Sequence, residues 1–239
     1  MLARVPSARS TVDVDLFRES RSIDAALDDL RRLAAVDLGD FFRFEYRDHA
    51  SAVGGDQQTY TEGYSVRFDV YLGVKRKDQL HVDLVVNVLT TGVAETASPA
   101  ASLDLPKLSS HPYRLYPVVD QIADKVCATL MRYNGRPSSR EKDLVDLVVL
   151  AVTQDVNAGN LRRALEAEAR NRSLALPAEF TVPAAWGARY AKLAAPLPAC
   201  SEYRTVDTAT ALMRSFLDPV LVGRVDQLTW HHDLRGWAP

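Results

Sequence analysis

Asp13-Val14-Asp15 and His81-Val82-Asp83 set carboxylates inside two runs that read as β-strands. Side chains at i and i+2 of a strand project to the same face, so Asp13 and Asp15 stand side by side, about 6–7 Å apart along the backbone. Two adjacent anions repel unless a positive charge sits between them. A hard divalent cation such as Mg²⁺ answers that requirement, because it accepts carboxylate oxygens and still keeps room for waters and phosphate oxygens. Asp83 interrupts the otherwise apolar run His81 to Val86 and is the candidate third acid, with Asp69 as its competitor. Acids on an edge strand also discourage edge-to-edge aggregation, so the paired aspartates alone do not fix a metal site.

A second set of charges falls on two helical patterns. In the first, Ile122, Val126 and Leu130 form an apolar stripe with Lys125 on its edge. A lysine there either snorkels to water or offers its ammonium to an anion such as a triphosphate. In the second, Asp143, Asp146, Leu147 and Leu150 share one face while Leu144, Val145, Val148 and Val149 fill the other directions. A helix apolar nearly all round is buried, and a carboxylate on it is costly unless paired. Asp146 therefore needs a partner, with Arg140, Lys142 and Lys125 as candidates; Asp143, at the helix start, favours the helix dipole. Arg132, Arg136, Arg140 and Lys142, together with Arg162-Arg163, either form a solvated face or make a local patch for a polyanion.

The elements that must position these residues divide the chain in two. A strand around Val12 to Leu16 is followed by a helix from Ser22 to about Val36, a strand at Phe41 to Tyr46, and a hairpin of Tyr64 to Val74 with Gln79 to Leu89. The charged tetrapeptide Lys75 to Asp78 is the expected turn of that hairpin. Thr91 to Pro112 has no period and marks a boundary, giving a sheet domain over 1–112 and a helical domain over 113–239 that completes the site. Helices are expected at Val119 to Tyr133, from a Ser138 or Ser139 cap to Thr153, at Ala158 to Arg172, Trp186 to Leu193 and Val206 to Leu217. The fold class is α+β, a small mixed sheet followed by a helical half.

Composition sets the outer limits. The 239 residues are 47% hydrophobic and 25% charged with a formal net charge of −2, which excludes wholesale disorder and gives no warrant for non-specific nucleic-acid binding. No apolar run approaches the roughly 18 residues of a membrane span, and the N-terminus lacks a secretory apolar stretch, so a cytoplasmic location is expected. Cys127 and Cys200 are too few and too far apart for a disulfide framework or a cysteine zinc site. No GxSxG, HExxH or Walker pattern occurs. His231-His232-Asp233 reads as a flexible surface cluster, and Trp186, Trp230 and Trp237 receive no functional role.

The order of segments is more specific than any one of them. "RSTVDVDLF", then "HVDLVV", then "YPVVDQIADKVCATLMRYNGRPSSREKDLVDLVVL" resembles the AbiEii/AbiGii family of nucleotidyltransferase toxins, including its mycobacterial branch. The carriers in the second half are Asp124-Lys125, Gly135-Arg136-Pro137 and Arg140 to Asp146, and the resemblance covers about Arg9 to Val152. It implies a polymerase-β-like fold, Mg²⁺-dependent transfer of a nucleotide from an NTP, and a cognate antitoxin. Carried over, Asp13 and Asp15 are the metal ligands, Asp83 the third acid, Lys125 the triphosphate contact and Asp146 the essential acid of the last motif. Ser10, Lys125 and Arg140 are the expected nucleotide contacts, and Arg132, Arg136 and Lys142 the expected RNA contacts. In some members the acceptor is the tRNA 3′ end. The family's Gly-Gly or Gly-Ser motif, ten or more residues before the paired aspartates, has no counterpart in MLARVPSARSTV. The expectation is a start upstream of Met1 or a nucleotide site lacking this loop, and in the second case a non-catalytic RNA- or protein-binding module is the alternative function.

Overall fold

A computed structural model describes residues 1, 3–9, 11, 13–19, 22–51, 62–88, 90–98 and 111–239. They fall into two compact units, one of residues 11, 13–19, 22–51 and 62–88, the other of 1, 3–9, 90–98 and 111–239.

The first unit is a mixed four-stranded sheet with one helix. Strand β1 (Asp13–Arg18) leads to helix α1 (Ile23–Ala34), then β2 (Phe42–Ser51), β3 (Glu62–Leu72) and β4 (Lys75–Val86). The order across the sheet is β1-β4-β3-β2, with β1 parallel to β4 and the other pairs antiparallel. Ser22 starts α1 by accepting the Ala25 N–H on its hydroxyl, which satisfies one of the orphan donors of a helix start. Ala26 and Leu27 of α1 are buried with Val66, Phe68, Val82, Leu84 and Val86. Alternation along β3 and β4 commits these residues to one face and leaves Asp83 on the other.

The hairpin turn differs from expectation. Leu72 pairs with Lys75 across Gly73-Val74, so Lys75 to Asp78 are strand residues. Gly73 takes φ +59, a conformation glycine adopts at no steric cost, and its N–H reaches the Phe41 carbonyl at 2.9 Å.

The second unit is mainly helical. Strands β5 (Glu95–Ala97) and β6 (Tyr113–Leu115) pair, followed by α2 (Val118–Leu130), the two-residue strands β7 (Arg132–Tyr133) and β8 (Arg136–Pro137), and α3 (Glu141–Ala151). Then come β9 (Val156–Asn157), α4 (Ala158–Asn171), α5 (Gly187–Ala194), α6 (Val206–Leu221), β10 (Thr229–His231) and β11 (Gly236–Ala238). As its all-round apolarity requires, α3 is the buried centre: Leu144, Val145 and Leu147 to Ala151 are fully enclosed, with α2, α5 and α6 packed against it. Among the described residues no helix is long and apolar enough to cross a membrane.

Three local expectations are corrected. Helix α2 ends at Leu130 rather than Tyr133, because Asn134 at φ +50 and Gly135 at φ +75 make the tight loop of the β7-β8 hairpin. Ser138 does not cap α3; its buried hydroxyl donates to the Ala128 carbonyl near the end of α2 at 2.9 Å, and Arg140 occupies the N-cap. The tail around His231-His232-Asp233 is a hairpin rather than a flexible cluster, with β10 between β11 and β9. Trp230 Nε1 donates to the Ala151 carbonyl at 2.7 Å, and its ring lies 4.9 Å from that of Phe216. His232 donates its backbone N–H to Asp155 and places Nδ1 2.7 Å from the same carboxylate oxygen, which lowers the Asp155 pKa.

Gly92 is required by a close approach. A Cβ there would lie 2.7 Å from the Pro117 Cβ and 3.0 Å from a Val119 methyl, while the Gly92 N–H donates to buried Asp120 at 2.9 Å. Gly92→Ala is expected to lower stability by about 1–3 kcal/mol, the usual cost of overpacking, read as an earlier midpoint in denaturant.

Candidate functional site

In the sheet unit, the parallel register of β1 and β4 sets Asp15 opposite Asp83 and Asp13 opposite His81. Parallel partners point the same way and neighbouring strands lie about 4.8 Å apart, so Asp13, Asp15 and Asp83 share one sheet face, opposite the face that α1 covers. Asp15 is exposed and the other two are half-buried. The same register settles the choice of neighbour for the aspartate pair. Asp69 pairs with Gln79 and Glu45, away from β1, and accepts hydrogen bonds from Arg76 at 2.6 Å and Gln79 at 3.1 Å. The Arg76 hydrogen bond is the main reason that the Asp69 carboxyl is held below its ordinary range.

Among the described residues, no three His, Cys, Asp or Glu side chains stand as a group that could hold a metal ion. The carboxylates share a face and a register without converging on one point. In type they fit a hard cation whose remaining ligands are waters and substrate oxygens. Ser10, expected to bind nucleotide, lies outside the described residues.

The helical unit holds the second half of the predicted set, and here side chains meet. Asp146 and Asp143 are each 1% exposed, one turn apart on α3. Lys125, reaching from α2 with its side chain 13% exposed, places Nζ 2.8 Å from Asp146 and 3.5 Å from Asp143. Arg9 donates from Nε and Nη2 to the two oxygens of Asp146, at 3.0 Å each. Arg140 donates to Asp143 at 2.5 Å. The result is a row of alternating charges, Arg9, Asp146, Lys125, Asp143 and Arg140. Burial disfavours the Lys125 ammonium, but the carboxylates of Asp146 and Asp143 outweigh it and hold its pKa above the ordinary lysine value.

Lys125 is therefore not a snorkelling lysine, and it is the tertiary partner that Asp146 needs. Of the other two candidates, Arg140 serves Asp143 and Lys142 is exposed. Sequence reasoning missed Arg9, which stands 137 positions from Asp146. The available signal was the unpaired charge demanded of a buried aspartate, which says that a cation is needed and not where along the chain it is.

The neighbouring charges are mostly engaged. Asp124, beside Lys125 in sequence, is bound by Arg172, which also donates to Glu168 at 2.5 Å. Among the expected RNA contacts, Arg136 and Lys142 are exposed and Arg132 donates to the Gly135 carbonyl at 2.7 Å within its own hairpin. Arg162 pairs with Glu166 at 3.0 Å and Asp226 at 2.8 Å, beside Arg163 in a shallow polar cleft. Cys127 is fully buried, which pushes its thiol up to about 12 and makes it an inert packing residue.

Compared with known proteins, residues 1–226 match the family described as nucleotidyl transferase AbiEii toxin of type IV toxin–antitoxin systems. No protein of curated function matches the chain. Among solved structures the chain is similar to MenT4, a nucleotidyltransferase toxin from Mycobacterium tuberculosis, at 13% identity and a TM-score of 0.45, over 92% of this chain and 80% of that one. A mixed sheet followed by a run of helices is the α+β, polymerase-β-like arrangement of nucleotidyltransferases with a helical C-terminal region. With nearly its whole length matched, the chain belongs to the AbiEii/AbiGii family of nucleotidyltransferase toxins.

Proposed function

We propose that the chain is an Mg²⁺-dependent toxin enzyme that transfers a nucleoside monophosphate from an NTP to an RNA acceptor, the tRNA 3′ end being the first acceptor to test. The observation that carries this reading beyond family membership is the β1-β4 register, which lines up Asp13, Asp15 and Asp83 on one sheet face. Asp13 and Asp15 would hold the Mg²⁺, with Asp83 as the third acid. The cation, when bound, supplies charge neutralisation for the NTP phosphates and lowers the pKa of an attacking hydroxyl.

The protein's own part is electrostatic. Lys125, kept charged by its carboxylate neighbours, is suited to meet the charge that develops on the pyrophosphate leaving group. The exposed Arg136 and Lys142, with Arg132, offer contacts to an RNA backbone. Ser10 and Arg140 are the further nucleotide contacts that the family pattern suggests. A cognate antitoxin is the expected partner and the cytoplasm the expected place of action.

The test is incubation of the purified chain with Mg²⁺ and each labelled NTP in turn, against total tRNA and other cellular RNA. Label appearing on RNA with the wild type, and absent with Asp15→Ala and with Lys125→Ala, is the expected result. No transfer with any NTP, from this chain or from one extended upstream, rejects the enzyme reading in favour of a non-catalytic binding module.

A further inference from the structure

The row of charges in the helical unit is built unevenly. Each buried carboxylate has two cations, and the two are not equivalent. Asp146 receives both donors of the Arg9 fork on its two oxygens at 3.0 Å, and Asp143 receives Arg140 at 2.5 Å. Lys125 is shared between them, at 2.8 Å from one and 3.5 Å from the other. A guanidinium is planar, permanently charged and matched to a carboxylate, whereas an ammonium is a point charge on a flexible stem that re-aims at little cost. If Lys125 turns away, Asp146 keeps two hydrogen bonds and Asp143 keeps one. If Arg9 is removed, Asp146 is left with a lysine that it must share. The next carboxylate along α2, Asp124, is occupied by Arg172 and does not compete for Lys125 in the same way.

We propose that Arg9 and Arg140 are positioning residues that hold the two buried carboxylates, so that Lys125 is the one cation of the row that can exchange its carboxylate contacts for a polyphosphate. For the ligand this rests on the functional reading above; for the division of labour it rests on the geometry alone. It gives Arg9 a role that the motif reading did not, and moves Arg140 from nucleotide contact to holding residue.

The experiment uses the full chain and two readouts: thermal unfolding followed by tryptophan fluorescence, and calorimetric binding of inorganic tripolyphosphate with Mg²⁺. Lys125→Met is expected to shift Tm by less than about 3 °C while weakening tripolyphosphate binding at least roughly tenfold. Arg9→Gln is expected to lower Tm by roughly 6–15 °C, and the double variant Arg9→Gln/Asp146→Asn to recover about half of that loss by removing the under-paired charge. Arg9→Lys restores charge but not the fork, so its Tm stays near wild type. Its tripolyphosphate binding falls roughly two- to fivefold, because Lys125 is then held more tightly by Asp146, a change that a purely structural role would not produce.

A Tm loss for Lys125→Met equal to that of Arg9→Gln overturns the proposal, as does tripolyphosphate binding that Lys125→Met leaves intact. If the wild type binds no tripolyphosphate while the Tm order holds, the functional reading and the exchange both fall, and the holding role of Arg9 stands.

Discussion

Asp146→Ala loses about 3–5 kcal/mol of unfolding free energy, the range found when one member of a buried ion pair is removed. Asp146 is 1% exposed and joins Arg9 to Lys125, so the truncation takes a carboxylate from two cations and leaves a void in a fully enclosed stretch of helix. Arg9 and Lys125 retain side-chain exposures of 26% and 13%, and partial hydration of these cations sets the loss toward the lower end of that range. The measurement is specific to one unit, because Trp186, Trp230 and Trp237 all belong to the helical one. Urea unfolding followed by tryptophan fluorescence therefore reports on the unit that contains Asp146. A midpoint unchanged from wild type would show that the row contributes nothing to stability. Replacing Arg9, Lys125 and Asp146 together by apolar residues of similar volume is expected to recover most of the loss, because the isolated charge and not the missing pair is what costs.

Asp15→Ala has the opposite profile. Asp15 is exposed on β1 and faces Asp83 across the parallel pair, so it is a poor source of stability; the unfolding free energy is expected to stay within about 0.5–1 kcal/mol of wild type. Transfer to RNA is expected to fall by a factor on the order of 10³, because the residue proposed to hold the reacting phosphates' counter-charge is gone. Asp83→Ala is expected to give a smaller loss. Residual transfer within tenfold of wild type would remove Asp15 from the site. Asp146→Ala trades stability for whatever function it carries, whereas Asp15→Ala trades function alone, and the pair distinguishes a folding defect from a chemical one.

How far the molecule was legible in the sequence depends on the range over which each feature is determined. The capped α1, the alternation of β3 and the all-round apolarity of α3 are local patterns, and they place their elements within a few residues. The burial of Asp146, and its need for a cation, follow from the same local pattern. Arg9 did not follow, because an ion pair spanning 137 positions has no periodicity to announce it. The turn at Gly73 carried a signal that was outweighed by a charged tetrapeptide, and Asn134-Gly135 read as the stop of a helix, whereas it is the loop of a hairpin that has only two residues in each strand. Ser138 had the right residue type for a helix cap, but a buried carbonyl of the preceding helix claimed its hydroxyl. The C-terminal hairpin was missed because its partner strand is only Val156-Asn157.

The way the chain threads the two units has a consequence for its synthesis. The described part of the sheet unit lies within residues 11–88, so all four of its strands leave the ribosome before any helix of the helical unit. The helical unit uses Arg4 and Arg9 from before the sheet, tied to Glu95 and Asp146, and Trp230 and Trp237 from far beyond it, packed about Phe216. Arg4 waits for a partner 91 positions on and Arg9 for one 137 positions on, and contacts of such long sequence separation form slowly. A growing chain can thus carry a finished sheet unit, with its three acids in register, well before Lys125 has all of its partners. For a toxin, this delays the completed helical unit, and any activity that depends on it, until at least Trp237 has been added.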